Sequence, residues 1–495
     1  MIMEKGPAFT TDTLRQDRVF VLDGAMGTRI LGRGLSENDF RDGLPLVPTR
    51  DVLGDNECLN LTRPDVIRSI HREYIEAGCD IIETNSFGAN VLVQEDYGLG
   101  SLAPQMAFAA ARLAREEADA AARKVWVAGS MGPGSKSLSL VSDYSRPEWR
   151  PNSFDEIASS YEAQARALIE GGVDLIMIET CFDALNAKAA LYGVHKACPG
   201  FPVIVSVSVS GMGARTLTGQ SLEAFYTAVS HAPLAAFGLN CSMGAEGLLP
   251  VVRDLASWCP VPVVCYPNAG MPDAHGCYDE SPEKMAAHMA GFDGLVNLVG
   301  GCCGTTPDHI RAIPKLQPRA IPPHDKILRL SGLEAWPLEN GLDASVSTAA
   351  DMRKSPEFAG MMQRQEFDEA LYSASEQLMT TGTSVLAVNL DALPDSPAAM
   401  EHFVRLIQSD PSVSMAALMI ESADFETLLQ GLKNAQGKCI AGPLDPGDSD
   451  FIGKAAILRS LGAALLVKAG DDDAHASELL TKAGVPAEDI VFVKE

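Results

Sequence analysis

Apolar residues in this chain fall in short, nearly unbroken runs, and the runs recur with room for one helix between neighbours. In order they read VFVLDGAMG (19–27), CDIIETNSF (79–87), KVWVAGSMG (124–132), VDLIMIET (173–180), FPVIVSVSV (201–209), LAAFGLNCS (234–242), VPVVCYPNAG (261–270) and GLVNLVGGCCG (294–304). Runs without polar alternation are the pattern of parallel strands covered on both faces.

The intervening stretches carry helix periodicity and helix punctuation. In TRPDVIRSIHREYIEAG, Thr62 is placed to cap the start, Ile67, Ile70 and Tyr74 share a face, and Gly78 ends the helix. Ser153 and Glu156 stand at capping-box spacing, and SPEKMAAHM and TPDHIRAI each set proline just after a cap residue, where its missing N–H costs nothing. Eight β/α alternations predict an α/β fold, a (β/α)8 barrel over residues 15–318. An open doubly wound sheet is the alternative, but no G-x-G-x-x-G follows the first strand.

After the Pro-rich passage LQPRAIPPHDKILRLSGLEAWPLENGL come five more strand candidates: SVLAVNLD, SMAALMIES, GKCIAGPLD, AALLVKAGD and DIVFVKE. The expected organisation is a barrel over 1–318, a linker over 319–345, and a smaller C-terminal α/β domain over 346–495 that resembles a partial barrel.

A barrel places its chemistry at the C-terminal ends of its strands. Those ends carry Asp23, Glu83 with Asn85, Ser130, Glu179, Cys241, Asn268, and the adjacent pair Cys302 and Cys303. A thiol pair can be core filler, since free cysteine packs as a small hydrophobe. The flanking glycines, and a third thiol at the same rim, favour a metal site. Three thiolates suit Zn2+, with the fourth position open to substrate or to a weak oxygen ligand such as Asn268. So sulfur-rich a zinc site suits a substrate thiol better than water, because zinc holds a bound thiol as thiolate at neutral pH. Asp23 and Glu179 could then hold the ammonium of an amino acid, and backbone N–H groups of DGAMGT, Gly24 and Ala25 among them, its carboxylate. Each acid taken alone could equally be a turn or cap residue.

Charge and composition narrow the classes. The chain has 495 residues, 46% of them hydrophobic and 21% charged, with a formal net charge of −26. That balance opposes a nucleic-acid or anionic-membrane partner. No run approaches the roughly 20 apolar residues of a membrane span and the start has no signal-peptide core, so a cytoplasmic protein is expected. Eleven cysteines at irregular spacing do not form a disulfide framework, which leaves reduced thiols available as ligands.

The motifs LDGAMGT, ETNSFGAN, GSMGP, IET, GLNCS, PNAG and GGCCGTTPDHI, in this order, resemble the zinc-dependent homocysteine S-methyltransferases. That family includes betaine-homocysteine methyltransferase and the first module of cobalamin-dependent methionine synthase. The resemblance implies that Cys241, Cys302 and Cys303 are zinc ligands, that Asp23 and Glu179 contact the homocysteine amino group, and that Asn268 lies beside the metal. Gly24, Ala25, Glu83 and Ser130 complete the expected substrate site. NECLNLTRPDVI and PNAGMPDAHGCYDE resemble the methionine synthase branch, and the C-terminal spacing resembles the opening part of its folate-binding barrel. There the chain departs from the pattern: MIES stands where an Asp-Ser-Ser end is usual, VFVKE where Asp-Pro-Asn is usual, and about five β/α units cannot close a barrel. The cobalamin fingerprint D-x-H-x-x-G is absent, so a methylcorrinoid would arrive free or on a separate corrinoid protein.

The expected function is methyl transfer to the thiol of homocysteine, giving methionine. The C-terminal region could dock a corrinoid carrier, form an oligomer contact, or brace the first barrel. Two other readings stand: an S-methylmethionine- or betaine-dependent homocysteine methyltransferase, and a non-catalytic zinc-binding scaffold. An onium donor would need an aromatic cage, for which Phe87, Phe182 and Tyr266 are the aromatics at the strand ends.

Overall fold

The computed structural model describes residues 9–493 apart from positions 211, 212, 274, 275, 277, 340 and 471. All eight predicted runs become strands: β1 Phe20–Val21, β2 Ile81–Glu83, β3 Trp126–Met131, β4 Leu175–Cys181, β5 Val203–Val207, β6 Leu234–Gly244, β7 Val263–Asn268 and β8 Leu298–Val299. They form one parallel sheet in the order β1-β8-β7-β6-β5-β4-β3-β2, and a parallel bridge from Leu22 to Ile81 brings its two edges together. This is the barrel of the sequence reading. Its interior is filled by Phe20, Leu22, Leu175, Met177, Ile204, Val264 and Leu298, all buried. Phe9 and Leu14 plug it from the N-terminal side, Phe9 meeting Trp126 edge to face at 5.3 Å. Burying each such side chain contributes about 1.5–3 kcal/mol.

Most of the helix punctuation holds. Ser153 and Glu156 form a capping box on the helix Phe154–Gly171, Ser281 caps Pro282–Met289, and Thr306 caps Pro307–Ala312. Gly78 closes Pro64–Ala77 in the left-handed region at φ 106°. Thr62 does not cap that helix. Pro64 takes the first helical position, which moves the cap to Arg63.

The C-terminal part holds six parallel strands in sequential order, not five: β11 Val346–Asp351, β12 Val385–Asn389, β13 Ala417–Glu421, β14 Ile440–Leu444, β15 Ala464–Lys468 and β16 Ile490–Val493. The strand that the pattern missed reads VSTAAD, too rich in small polar residues to stand out as an apolar run. The expected linker is also structured. It contains an antiparallel hairpin, β9 Arg329–Ser331 and β10 Ala335–Pro337, and its Leu330, Leu338 and Leu342 pack with Val385, Ala387, Met419 and Leu466 of the second sheet. The last two residues of VFVKE lie outside the described residues.

The two sheets share one continuous apolar cluster that runs from Ile30 to Val485. Polar groups stitch the same contact. Lys188, buried on the helix Ala184–Ala197, donates from Nζ to the carbonyls of Ala435 at 3.0 Å and Gly437 at 3.1 Å, and burial depresses its pKa. Gly437 is glycine because its backbone lies on the hairpin: a Cβ there would fall 1.8 Å from the Ser331 carbonyl oxygen. No helix among the described residues is long and apolar enough to cross a membrane.

Candidate active site

Strands β6 and β8 each run to the C-terminal rim and turn sharply there. Cys241 and Ser242 adopt positive φ, 56° and 63°, which lifts the Cys241 side chain out of the strand alternation. After β8, Cys302 N–H donates to the Pro267 carbonyl at 2.7 Å, Ala269 N–H donates to the Cys303 carbonyl at 2.9 Å, and Thr305 Oγ1 donates to the Cys302 carbonyl at 2.7 Å. The paired thiols are thereby fixed against the end of β7.

The sulfurs meet. Cys241 Sγ lies 3.9 Å from Cys303 Sγ, Cys303 Sγ 4.0 Å from Cys302 Sγ, and all three lie within 4.8 Å of one another. Tetrahedral thiolates about 2.3 Å from a zinc ion would stand roughly 3.8 Å apart. Hydrogen bonds from Cys302 and Cys303 hold the Cys241 thiol far below the ordinary range, and the same bonds push Cys302 up. Three thiols this close could hold a divalent cation, which would displace their remaining protons. Asn268 supplies a further fit. Its amide donates to the Cys241 sulfur, while its Oδ1 is buried without a partner among the described residues.

Beside the thiols lies a buried trio of carboxyl groups. Asp23 Oδ2 accepts from Glu83 N–H at 3.0 Å, and Glu179 accepts from the Ser130 hydroxyl and, at 3.4 Å, from Tyr266. Burial is the largest cause of their shifts. Asp23 and Glu83 are pushed well above the usual carboxylate range, and Glu179 up to about 7. Glu83 hydrogen-bonds to Glu179, which raises the first and lowers the second, so the pair shares a proton. The groups acting on the three acids are one another, backbone N–H groups, Ser130, Tyr266 and Cys241, with no cation among them. A buried acid cluster of this kind is stabilised by any cation that enters it.

The remaining expected residues divide. Gly24 sits at the rim because nothing larger fits: a Cβ would lie 2.7 Å from Thr305 Oγ1 and 2.9 Å from the Tyr74 hydroxyl. Ala25 N–H is already committed to Thr305 Oγ1 at 3.1 Å, so it is not a free donor for a substrate carboxylate. Asn85 turns away from the thiols and donates to the Asn56 carbonyl and Asn60 Oδ1. Tyr266 is 2% exposed, its hydroxyl shared with Ser206, so it lies beneath the carboxyl groups and lines no aromatic cage at the mouth.

Two side chains at the site escaped the sequence reading. Asn240, fully buried, accepts on Oδ1 from Thr180 N–H at 2.9 Å and Ser206 Oγ at 2.9 Å, and directs its amide to Thr180 Oγ1 and the Cys302 sulfur. Its signal was available, as a polar residue one position before a ligand candidate in a buried strand. Tyr278 donates its hydroxyl to the Cys303 sulfur and packs its ring on Gly304, where a Cβ would fall 2.3 Å from Tyr278 Cβ. It arrives on a loop ten residues beyond β7, where strand-end counting does not reach.

The family model for homocysteine S-methyltransferase matches residues 20–316. The chain belongs to that family. Its enzyme domain spans all eight strands of the first barrel and every cysteine of the cluster. Among solved structures, the oxidised form of the Escherichia coli homocysteine methyltransferase MmuM is similar at 23% identity, covering 62% of this chain and 99% of that one with a TM-score of 0.47. The metallated form of the same enzyme is similar at 24% identity, covering 61% and 97% with a TM-score of 0.45. The homocysteine S-methyltransferase match ends before the hairpin, so the second sheet lies outside it.

At the rim of that second sheet lies a cavity of 1040 Å³. Of the acids lining it, Glu421 is paired with Arg353, Asp391 accepts from the Ser422 hydroxyl, and Asp448 is paired with Lys454.

Proposed function

We propose that this homocysteine S-methyltransferase domain uses Cys241, Cys302 and Cys303 to hold zinc, binds the homocysteine ammonium on Asp23, Glu83 and Glu179, and takes its methyl group from a methylcorrinoid. The observation that carries the reading is the side-by-side placement of the three-sulfur cluster and the cation-free acid trio at one rim. Zinc held there would supply a thiolate form of the substrate sulfur at neutral pH. The chain's residues supply the rest. The acid trio receives the ammonium, and one proton shared between Glu83 and Glu179 is released as that charge arrives. Asn240 and Tyr278 donate to Cys302 and Cys303, which fixes the sulfurs and leaves the fourth direction to the substrate or, without it, to Asn268 Oδ1. The substrate sulfur then forms a bond to the methyl carbon as the donor's bond breaks, the electron pair leaving with the donor.

For the donor, the motifs shared with the methionine synthase branch favour a methylcorrinoid, free or on a partner protein. At the second sheet, the Glu421 of MIES is already paired with Arg353, which supports a degenerate folate-like region that takes no folate. The test is anaerobic: zinc-loaded protein, homocysteine and free methylcobalamin, followed by absorbance. Formation of cob(I)alamin and methionine is expected. Homocysteine uptake with proton release but no methyl transfer would retain the site and replace free methylcobalamin with a sulfonium donor or with a corrinoid that only a partner protein can present. Absence of uptake would leave the scaffold reading.

A further inference from the structure

The C-terminal part grips a short segment of the first barrel beyond the end of β5. After β5 the chain passes through residues 215–221 before the helix Leu222–Val229. That segment is held from the C-terminal side at four places. Gln436 Nε2 donates to Thr218 Oγ1 at 2.6 Å and to Gln220 Oε1 at 3.1 Å, Gln220 Nε2 donates to the Gly332 carbonyl at 3.1 Å, Ser221 N–H donates to the Leu333 carbonyl at 2.9 Å, and Arg215 pairs with Glu334. Gln436 and Gln220 are 2% and 0% exposed, so the bond between them is shielded from water.

On its inner side the same segment faces the site. Thr218 Oγ1, having accepted from Gln436, donates to the Phe182 carbonyl at 2.9 Å. Phe182 follows Thr180, which has positive φ (57°), and lies three residues after Glu179. Upstream, Val209 N–H donates to Ser242 Oγ at 2.9 Å, beside Cys241. Thr218 has one proton. Gln436 donates to its oxygen at 2.6 Å and Thr216 Oγ1 lies 3.1 Å from it, which directs that proton to Phe182; without Gln436 the hydroxyl loses the shorter of these two restraints.

We infer that Gln436, from the C-terminal sheet, is a positioning residue of the homocysteine site, acting through Thr218 on the Phe182 carbonyl and so on the strand end that presents Glu179. The second sheet is thereby a working part of the first barrel's site, with no ligand of its own required. The inference rests on the reading of Glu179 as a homocysteine contact.

The test uses the full chain in four forms: wild type, Gln436→Leu, Thr218→Val, which keeps shape and removes the hydroxyl, and Thr218→Ser, which keeps the hydroxyl. Hydrogen exchange is followed by peptide across residues 175–186 and, as a control, 103–120. In Thr218→Val and Gln436→Leu, exchange at Thr180 to Asp183 should quicken while the control stays unchanged, and the KM for homocysteine should rise roughly ten-fold with kcat and bound metal little altered. Thr218→Ser should match wild type, and the double variant should be no worse than either single, because both break one relay. Unchanged exchange in Thr218→Val, or faster exchange with an unchanged KM, overturns the inference. Should Gln436→Leu fail to fold, Thr218→Val against Thr218→Ser decides it alone. Failure of the wild type to take up homocysteine would instead count against the site reading, and the exchange result would still decide whether the relay holds the strand end.

Discussion

Cys241 and Cys303 bring their sulfurs to 3.9 Å although 62 residues separate them in the chain. That closeness is a product of strand order. β6 and β8 are both neighbours of β7, so two strand ends two positions apart in the sheet converge on the end of the strand between them. Replacing any one of Cys241, Cys302 or Cys303 by alanine should leave two sulfurs, too few to retain zinc through dialysis against a chelator. Metal analysis after dialysis checks this. Full metal content and full turnover in any of the three variants would contradict it.

Asn240→Ala should weaken the metal site without removing a ligand. Loss of a group that orients a ligand typically costs 10–100-fold in metal affinity, and Thr180 N–H would lose its acceptor, at about 1–3 kcal/mol for a buried group left unpaired, while Ser206 keeps Tyr266. Competition titration with a zinc chelator reads the first effect and thermal melting the second.

The acid trio makes stability depend on pH in a direction opposite to that of a salt-bridged carboxylate. Glu179 is raised to about 7 from its ordinary 4.5. Between those values the folded state keeps a proton that the unfolded state has lost. The contribution is therefore complete below about pH 4.5 and falls as pH rises through 7, by an amount on the order of a few kcal/mol. The metal-free protein should melt at a lower temperature near pH 7.5 than near pH 5.5, and homocysteine, by bringing a cation, should reduce the difference. Glu179→Gln should reduce the pH dependence, leaving the part due to Asp23 and Glu83, and raise the KM for homocysteine by roughly ten- to a hundred-fold, the value of one charged hydrogen bond. An unchanged profile in that variant would count against the assignment.

Gly24→Ala forces a methyl group to within 2.7 Å of Thr305 Oγ1 and 2.9 Å of the Tyr74 hydroxyl. Both neighbours are fully buried and cannot step aside. The expected cost is about 1–3 kcal/mol, read as a lower melting temperature, together with weaker homocysteine binding as Ala25 and its bond to Thr305 shift.

The first barrel was legible in the chain because its strands are continuous apolar runs, and because one rule, chemistry at the C-terminal strand ends, turned eight runs into a short set of candidate residues. The rule fails where a side chain enters from a loop, as Tyr278 does, or where a residue acts from within the strand, as Asn240 does. It also misplaced Tyr266, whose aromatic character suggested the mouth although its hydroxyl is needed lower down by Ser206 and Glu179. The second sheet was harder to read. Val346–Asp351 lacks an apolar run, and the leucines of the Pro-rich passage show no strand period although Leu330, Leu338 and Leu342 are core residues. Their meaning comes from the sheet they cover, which local pattern does not contain.

Lys188 carries a consequence for how the molecule comes apart. Among the described residues its ammonium group has no acid partner, and it donates to two carbonyls of the C-terminal part. A fragment cut after the first barrel would strand that cation on a newly bared apolar face, while the released half would lose the helices that shield its own leucines. The chain is therefore expected to melt in one calorimetric transition, and proteolytic nicking between the sheets should yield halves that stay associated until both are denatured.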